Sequence, residues 1–194
     1  MSTILDAPPA VVLPDRYEVV NGEVVEAPPM SAFAGEIANR LRDELAYHGR
    51  ATRQGRARND LLFRIPLPED GSRNRAPDVA FIAFDRWPES RLMPTRGNPV
   101  DVVPNLMVEV VSPTDFAEDV LAKVYEYLRA GAELVWVVFP RFRQLYAYTT
   151  ISTAPRLFTA ADTLDGGVVL PGFSVPMVGL SPIVADEPSP EADA

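Results

Sequence analysis

Cysteine is absent from this chain of 194 residues, which also has only one histidine, His48, and one lysine, Lys123. Without cysteine, neither a disulfide nor a thiolate metal site can form. Any bound metal would therefore depend on oxygen ligands or on His48. The sequence favours carboxylates with a hard cation such as Mg²⁺ or Mn²⁺.

Long apolar segments are also missing, since no run reaches the roughly 18 apolar residues of a membrane-spanning helix. The segment from Met1 to Pro14 has neither the positively charged region nor the apolar core of a signal peptide. We therefore expect a cytoplasmic protein without a membrane partner. A phosphate-binding loop, a Gly-x-Ser-x-Gly elbow and a His-Glu-x-x-His motif are absent as well, which disfavours the corresponding nucleotide, serine and zinc hydrolases.

The balance of charge is acidic, with a formal net charge of −9. This disfavours a simple nucleic-acid binder, because phosphate binding depends on lysine and arginine. The segment from Gly49 to Arg75 is an exception, with seven arginines against three acids. Its candidate nucleic-acid contacts are Arg53, Arg56, Arg58 and Arg75. On charge alone, however, solvated strand and loop faces are the preferred explanation of these arginines.

Patterns along the chain predict an α/β fold with a mixed central sheet flanked by helices. Asn21-Gly22 between two β-rich segments predicts an N-terminal hairpin with a type I′ turn. Ser31 is the predicted cap of a first helix that ends at Gly49, and Ser112 to Asp115 are predicted to cap a second helix that ends at Gly131. The other main strands are predicted at Ala51 to Ala57, Asp60 to Pro66, Pro77 to Ile82, Leu106 to Val111, Leu134 to Phe139 and Gln144 to Thr149.

The length of the chain suits one domain with a sizeable core rather than two. We predict this domain over residues 15–182. Residues 1–14 are expected to form an N-terminal extension. Residues 183–194 are acidic and rich in proline, and we expect a disordered tail there.

Glu109 interrupts the most strongly apolar segment of the chain, Leu106 to Val111, whose other residues are leucine, methionine and valine. A strand of this composition is typical of a sheet that is covered on both faces. Because an unpaired buried charge is costly, Glu109 must be protonated, ion-paired, bound to a metal or near the open end of the strand. A structural ion pair with an arginine is the alternative to a functional role.

Asp78 stands at the entrance of another predicted strand, directly after Pro77. Taken alone, an Asp in this position more often forms a turn than a ligand site. Together with Glu109 it is more informative, because two carboxylates at the ends of neighbouring central strands would converge where one or two divalent cations could bind.

Lys123 is the one lysine among eighteen basic residues, so this position has not accepted arginine. Its compact ammonium can hydrogen-bond a water or a phosphate oxygen in a way that a planar guanidinium cannot. A salt bridge with Asp119 on a helix surface is the alternative, and position alone favours it. Glu23 and Glu36 are weaker candidates for a third acid, and we expect both to be solvated.

Several short motifs, taken in order, are similar to those of one family. They are Val20 to Glu23, Ala76 to Ile82, Val108 to Asp115, Lys123 with Tyr127-Leu128 and Ala130 to Ala132, Val135 to Val138, Leu164 to Gly167, and Leu170 to Phe173. With this order and spacing, the chain from about Tyr17 to Leu180 resembles the Uma-type family of restriction-endonuclease-like proteins, once classified as a domain of unknown function, in the PD-(D/E)XK nuclease superfamily.

This resemblance implies the PD-(D/E)XK fold, in which a mixed sheet between helices presents an Asp, an acid on the next strand and a lysine to one or two Mg²⁺ ions. By position, Asp78 is the Asp and Glu109 is the acid. The usual lysine, two residues after the acid, falls at Val111 here, so that part of the pattern is broken. Lys123, on the following predicted helix, is the only lysine that could take its place.

Our hypothesis is therefore a metal-dependent endonuclease with Asp78, Glu109 and Lys123 as catalytic residues. Mg²⁺ or Mn²⁺ would be held by Asp78, Glu109 and the Val110 carbonyl. The expected substrate is nucleic acid, with DNA preferred over RNA, and the expected assembly is a homodimer. The main alternative is a non-enzymatic scaffold in which the three residues form an ion-paired core. The second is a sugar or nucleotide hydrolase that uses two carboxylates without a metal.

Overall fold

The structure, a computed structural model, describes residues 13–14, 16–27, 29–92, 99–152 and 154–180. The predicted tail and nearly all of the predicted N-terminal extension lie outside these ranges. The described residues form two α-helices and twelve β-strands. The helices are α1 (Ala32–Thr52) and α2 (Ala117–Ala130); the strands are β1 (Tyr17–Val20), β2 (Glu23–Glu26), β3 (Gly55–Arg58), β4 (Phe63–Arg64), β5 (Asn74–Arg75), β6 (Val79–Ala83), β7 (Leu106–Val110), β8 (Leu134–Phe139), β9 (Gln144–Thr149), β10 (Arg156–Phe158), β11 (Thr163–Gly166) and β12 (Leu170–Pro176).

Six strands form the central sheet, in the order β10-β9-β8-β7-β6-β3. The middle pair, β7 and β8, is parallel, and α2 connects its two strands. The other neighbouring pairs are antiparallel. The predicted mixed central sheet is confirmed, and β3 and β10 are its edge strands.

The two helices cover opposite faces of the central sheet. α1 packs on the face that carries Phe81 and Val108, in a core to which β11 and β12 also contribute. The other face carries Met107 and contacts α2 through Val124. Because side chains alternate along a strand, Glu109 lies on the same face as Met107, towards α2.

A second sheet, in the order β2-β1-β5-β4, contains the predicted hairpin. Asn21 and Gly22 at the hairpin tip have φ angles of 53° and 81°, as a type I′ turn requires. Arg73 and Arg75, at β5, form ion pairs with Glu126 of α2. The hairpin sheet is therefore held against the helix that carries the single lysine.

The predicted helix caps are confirmed at two of four positions. Ser31 caps α1, since its Oγ accepts a hydrogen bond from the Ala34 N–H at 3.2 Å. Gly131 ends α2 in the left-handed region, with a φ of 109°. The predicted start of α2 is wrong, because Asp115 accepts a hydrogen bond from the Ser112 N–H and closes a loop before the helix begins.

The predicted end of the first helix at Gly49 is also wrong. α1 continues to Thr52, and the left-handed residue that follows it is Arg53, with a φ of 54°. Gly49 is needed for packing instead, because a Cβ there would lie 2.5 Å from the Gly55 carbonyl oxygen and 2.9 Å from the Phe81 ring. Glycine thus allows α1 to approach β3 closely.

The two strands predicted between the first helix and the Pro77 segment are shorter than expected. β3 covers only Gly55–Arg58, because α1 extends into the first residues of the predicted strand. β4 covers only Phe63–Arg64 and belongs to the hairpin sheet. Of the helices that the structure describes, none is long and apolar enough to cross a membrane.

Candidate active site

An open cleft of about 540 Å³ lies between the hairpin, the adjoining ends of β6 and β7, and the N-terminal half of α2. Asp78, Glu109 and Lys123 all line it. The antiparallel pairing of β6 with β7 explains part of this convergence, because the start of one strand lies beside the end of the other. The structure therefore brings together the three residues that the sequence analysis grouped.

Asp78 immediately precedes β6 and is bonded to the neighbouring strand. Its Oδ2 accepts a hydrogen bond from the Val110 N–H at 2.7 Å. Its Oδ1 lies 3.7 Å from the Arg16 guanidinium, and the side chain is 13% exposed. One carboxylate oxygen is thus fixed by β7, while the other makes only a long ionic contact within the described chain.

Glu109 is buried in β7 and takes its partners from α2. Its Oε1 accepts a hydrogen bond from the Tyr127 hydroxyl at 2.6 Å, and its Oε2 lies 3.4 Å from Lys123 Nζ. Lys123 and Tyr127 are one helical turn apart, so both project from the same face of α2. The predicted buried carboxylate is present, and its cationic partner is the lysine rather than an arginine.

Lys123 lies in the cleft between two carboxylates. Its Nζ is 3.2 Å from Glu18 Oε1 and 3.4 Å from Glu109 Oε2. Although burial disfavours the charged form, Glu109 and Glu18 raise the pKa of Lys123 above its ordinary value, so the side chain is a cation at neutral pH. Within the described ranges, the alternative salt bridge between Lys123 and Asp119 does not form.

Glu18 of β1 is a site residue that the sequence analysis missed. It is buried, its Oε2 lies 2.5 Å from Arg75 Nη1, and its Oε1 accepts a hydrogen bond from the Ala76 N–H at 3.2 Å. Burial opposes ionisation, but Lys123 and Arg75 lower the pKa of Glu18 below its ordinary value. Glu18 is therefore an ionised carboxylate that anchors the lysine.

An ion-pair network behind Glu18 holds this wall of the cleft together. Arg75 Nε lies 2.7 Å from Glu126 Oε2, and Arg73 contacts the same carboxylate. Arg73 also pairs with Asp70 at 3.1 Å. Arg75 is thus bound to two carboxylates and only 11% of its side chain is exposed. Arg75 therefore lines the cleft as an internally paired cation, and its expected contact with nucleic acid stays a prediction.

The charge of Asp78 and Glu109 is less well compensated than that of Glu18. Burial and the negative charge of Glu109 raise the pKa of Asp78 to about 7. Burial also raises the pKa of Glu109, although Lys123 and the Tyr127 hydroxyl oppose the shift. The same cluster thus stabilises Glu18 as an anion but disfavours the ionised forms of Asp78 and Glu109. Acids with raised pKa values in a cleft are typical of functional sites.

The chemistry of these donors fits a hard divalent cation. Asp78 and Glu109 offer carboxylate oxygens from adjacent strands, and a cation between them would offset their mutual repulsion. No cluster of three or more histidine or acidic side chains suited to a metal occurs in the part of the chain that the structure describes. Mg²⁺ needs only one or two protein carboxylates, because it keeps several waters and binds substrate phosphates. The Val110 carbonyl is the further oxygen ligand that we predicted.

The two weaker acid candidates lie elsewhere. Glu23 is exposed on β2 and does not line the cleft. Glu36 is on α1, across the central sheet, and pairs with Arg40 at 2.9 Å. The structure brings neither of them to the other three residues, and both are solvated as expected.

The remaining predicted nucleic-acid contacts lie at the edge strand β3. Arg53 follows α1 and has an 81% exposed side chain that pairs with Glu89 at 3.3 Å. Arg56 and Arg58 are half-buried and bond mainly to backbone carbonyl oxygens. The first part of the basic segment therefore lies along β3 at one edge of the central sheet, while Arg64 and Arg75 belong to the hairpin sheet.

The missed residues gave different signals in the sequence. Glu18 interrupts a short apolar strand, which is the same signal that revealed Glu109. Tyr127 follows Lys123 by four residues, so a helix places both on one face. The contacts of Arg75 with Glu18 and Glu126 depend on how the hairpin packs against α2, and no local pattern indicates that packing.

Fold and site together define a class of protein. A mixed sheet between two helices presents an Asp and a Glu from adjacent strands, and a lysine from the next helix, to one cleft, as in restriction-endonuclease-like α/β proteins. The chain belongs to the Uma2 family, described as "Putative restriction endonuclease", whose family model matches residues 11–178. The family that the motifs suggested is thereby confirmed.

A solved structure supports the fold. The chain is similar to a protein from Anabaena variabilis, whose crystal structure is described as that of a "putative nuclease belonging to DUF820". The TM-score is 0.72 at 15% sequence identity, with 88% of this chain and 92% of that chain covered. At this identity the likeness shows the fold alone. No curated protein matches the chain.

Proposed function

We propose that the protein is a metal-dependent nuclease that hydrolyses phosphodiester bonds of nucleic acid, with DNA as its substrate. Membership of a family described as restriction endonucleases and a nuclease-like fold support a nuclease. The observation that carries the proposal is the convergence of Asp78, Glu109 and Lys123 in one open cleft. Asp78 precedes β6, Glu109 lies in β7 and Lys123 lies in α2. The pKa values of both acids are raised.

The charge of the cleft supports metal dependence. Among the residues that the structure describes, six carboxylates line it against three cationic side chains. A phosphodiester would be repelled by this surplus unless a cation offset it. Asp78, Glu109 and the Val110 carbonyl would hold Mg²⁺ or Mn²⁺, which such oxygen ligands favour. The ion would lower the pKa of a bound water and stabilise negative charge on the phosphate.

Lys123 is suited to contact the reacting groups directly. An ammonium has three donors, and Glu18 and Glu109 engage two of those of Lys123. The third would donate a hydrogen bond to the attacking water or to a nonbridging phosphate oxygen. A lysine fits here because a compact ammonium can lie between two carboxylates and still reach a third partner.

Tyr127 and Arg16 would support this chemistry. The Tyr127 hydroxyl fixes the orientation of the Glu109 carboxylate through Oε1. Arg16, with 30% of its side chain exposed beside Asp78, would contact a neighbouring phosphate of the substrate. We further propose a cytoplasmic homodimer, because cleavage of two strands benefits from two sites.

A non-enzymatic scaffold is the second candidate, and one observation favours it. Glu18, Lys123 and Glu109 already form a compact ion-paired cluster without any ligand. The two candidates differ in their expected metal binding. Calorimetry with Mn²⁺ should give a binding isotherm that Asp78→Asn abolishes if the protein is a nuclease. A chain that gives no heat of binding with either Mn²⁺ or Mg²⁺ would favour the scaffold.

Plasmid cleavage tests the proposed activity. Wild type should nick supercoiled DNA in the presence of Mg²⁺. The rate should fall about 100-fold or more in each of three variants, because removal of a charge-stabilising group typically has an effect of this size. The variants are Asp78→Ala, Glu109→Ala and Lys123→Ala. Arg129→Gln is the control, because Arg129 lies on the exposed side of α2 and pairs with Glu69. Equal activity in all the variants would contradict the assignment. Activity that survives a chelator would favour a metal-free two-carboxylate hydrolase.

A further inference from the structure

Two arginines on β3, an edge strand of the central sheet, have only neutral partners among the residues that the structure describes. Arg56 Nη2 donates to the carbonyl oxygens of Pro88 and Glu89 at 3.3 and 3.2 Å, and Arg58 Nη1 donates to the Ala57 carbonyl oxygen at 2.7 Å. Neither arginine forms a salt bridge with any residue that the structure describes. Their positive charges are therefore available to an external anion.

Arg42 lies on α1, the helix that packs against β3. Burial and the charges of Arg56 and Arg42 lower the pKa of Arg58, so the three guanidinium groups interact across the edge of β3. Arg42 has one acidic contact, its exposed neighbour Asp43 at 3.0 Å. The Nε atoms of Arg42 and Arg56 are buried and have no hydrogen-bond partner in the described chain. These buried Nε atoms are not themselves accessible to a ligand, but like charges held this close favour the binding of an anion beside them.

The position of these arginines connects them to the cleft. In the antiparallel pairing of β3 with β6, Arg58 lies opposite Ala80, two residues beyond Asp78. Arg16 spans the same region, at 3.9 Å from Asp60 and 3.7 Å from Asp78. Arg58 therefore lies near the rim of the cleft, and Arg16 connects this rim with Asp60, just after β3.

We propose that Arg42, Arg56 and Arg58, here named the arginine edge, bind backbone phosphates of nucleic acid that flank the bond held in the cleft. The identity of this ligand rests on the proposed function. In a chain with a net charge of −9, a basic edge of this kind suits a polyanion. A guanidinium also matches the two oxygens of a phosphate.

The arginine edge would supply affinity and orientation rather than chemistry, because phosphate contacts position a nucleic acid without reading its bases. Arg53 would extend the contact, since it is exposed and its pairing with Glu89 is at the surface. Arg75 is excluded from the arginine edge, because Glu18 and Glu126 already bind its guanidinium.

Fluorescence anisotropy with a labelled DNA duplex tests this inference. Binding is measured against salt concentration in a Lys123→Ala background with constant Mg²⁺, so that cleavage does not consume the probe. The double substitution Arg56→Gln/Arg58→Gln should weaken binding roughly 10-fold and reduce the slope of log K against log salt by about two. Arg156→Gln is the matched control, because Arg156 lies on β10, the opposite edge strand.

The outcomes separate this inference from the proposed function. Absence of cleavage by wild type, together with duplex binding that depends on the arginine edge, would overturn the nuclease and leave the inference standing. Unchanged affinity and slope in the double variant, or no binding by the parent chain, would overturn the inference whatever the cleavage result.

We expect the double variant to melt no lower than its parent, since it relieves repulsion. Should it fail to fold, Arg42→Gln alone should reduce the slope by about one, and an unchanged slope would overturn the inference.

Discussion

Lys123 depends on neighbours that are far from it in sequence. Its ammonium lies between Glu18 of the hairpin and Glu109 of the central sheet. These contacts explain why a lysine, rather than an arginine, occupies this point of α2. With Lys123 in its proposed role, Glu18 would act through the lysine, as a positioning residue.

The substitution Glu18→Gln tests this role at the scale of one carboxylate. Removing the negative charge should lower the pKa of Lys123 towards its ordinary value, because Glu18 is one of the two groups that raise it. We expect kcat to fall roughly 10-fold, KM to change little, and the alkaline limb of the pH–rate profile to move to lower pH. Glu26→Gln, which removes another acid of the cleft from β2, is the control. An alkaline limb that stays in place would contradict the positioning role.

Tyr127→Phe tests the hydrogen bond that orients Glu109. The change leaves a buried carboxylate oxygen without its donor, so the free energy of unfolding should fall by about 1–3 kcal/mol. Affinity for Mn²⁺ should also decrease, since the carboxylate is less well oriented. Tyr125→Phe, two residues away on the exposed side of α2, should change neither quantity. Urea unfolding and calorimetry measure both. Equal stability and Mn²⁺ affinity of Tyr127→Phe and wild type would refute the role of the hydroxyl.

Asp78 should make the metal-free protein less stable at higher pH. Its pKa is raised to about 7 in the folded chain, so the folded state binds more protons than the unfolded state between about pH 4 and pH 7. Stability is therefore lost as the pH rises through this range. Asp78→Asn removes the ionisation, and its free energy of unfolding relative to wild type should rise with pH by a few kcal/mol, at roughly 1.4 kcal/mol per pKa unit. Urea unfolding in a chelator at about pH 5 and pH 8 measures the difference. A difference that is constant with pH would contradict the raised pKa.

At the scale of elements, close packing of α1 on β3 depends on Gly49. Gly49→Ala would place a Cβ within 3 Å of the Gly55 carbonyl and the Phe81 ring. Alanine favours a helix by about 1 kcal/mol over glycine, yet the clash should dominate and cost roughly 1–3 kcal/mol. Gly71→Ala is the control, because nothing lies within 4 Å of the added Cβ. A stabilised Gly49→Ala variant in urea unfolding would show that the approach is not tight.

Local patterns predicted the elements whose signals are local. Asn21-Gly22 marks the hairpin, Gly131 ends α2, and the apolar segments of β7 and β8 form the centre of the sheet. The prediction failed at Gly49, because a glycine can end a helix or allow close contact, and only the tertiary packing decides between these uses. The strand predicted from Ala51 to Ala57 therefore began too early, because α1 continues to Thr52.

At the scale of the whole molecule, the candidate site was only partly predictable. Asp78, Glu109 and Lys123 were found because a buried acid, a strand-entrance acid and a solitary lysine recur in the order of one family. Glu18 interrupts an apolar strand and could have been noticed, but its contact with Lys123 and the Arg75 network required the packing of the hairpin against α2, which brings distant segments together. The uneven distribution of charge was visible in the sequence, but its division between an internal network and a free sheet edge was not.

A crystal soaked with Mn²⁺ tests the central claim most directly. We expect an anomalous peak between Asp78 and Glu109, within coordination distance of a carboxylate oxygen of each, and no peak there in crystals of Asp78→Asn. Lys123 Nζ should remain beside the site without coordinating the ion. A wild-type crystal with no Mn²⁺ in the cleft, or with the ion bound away from both acids, would rule out a metal site formed by Asp78 and Glu109.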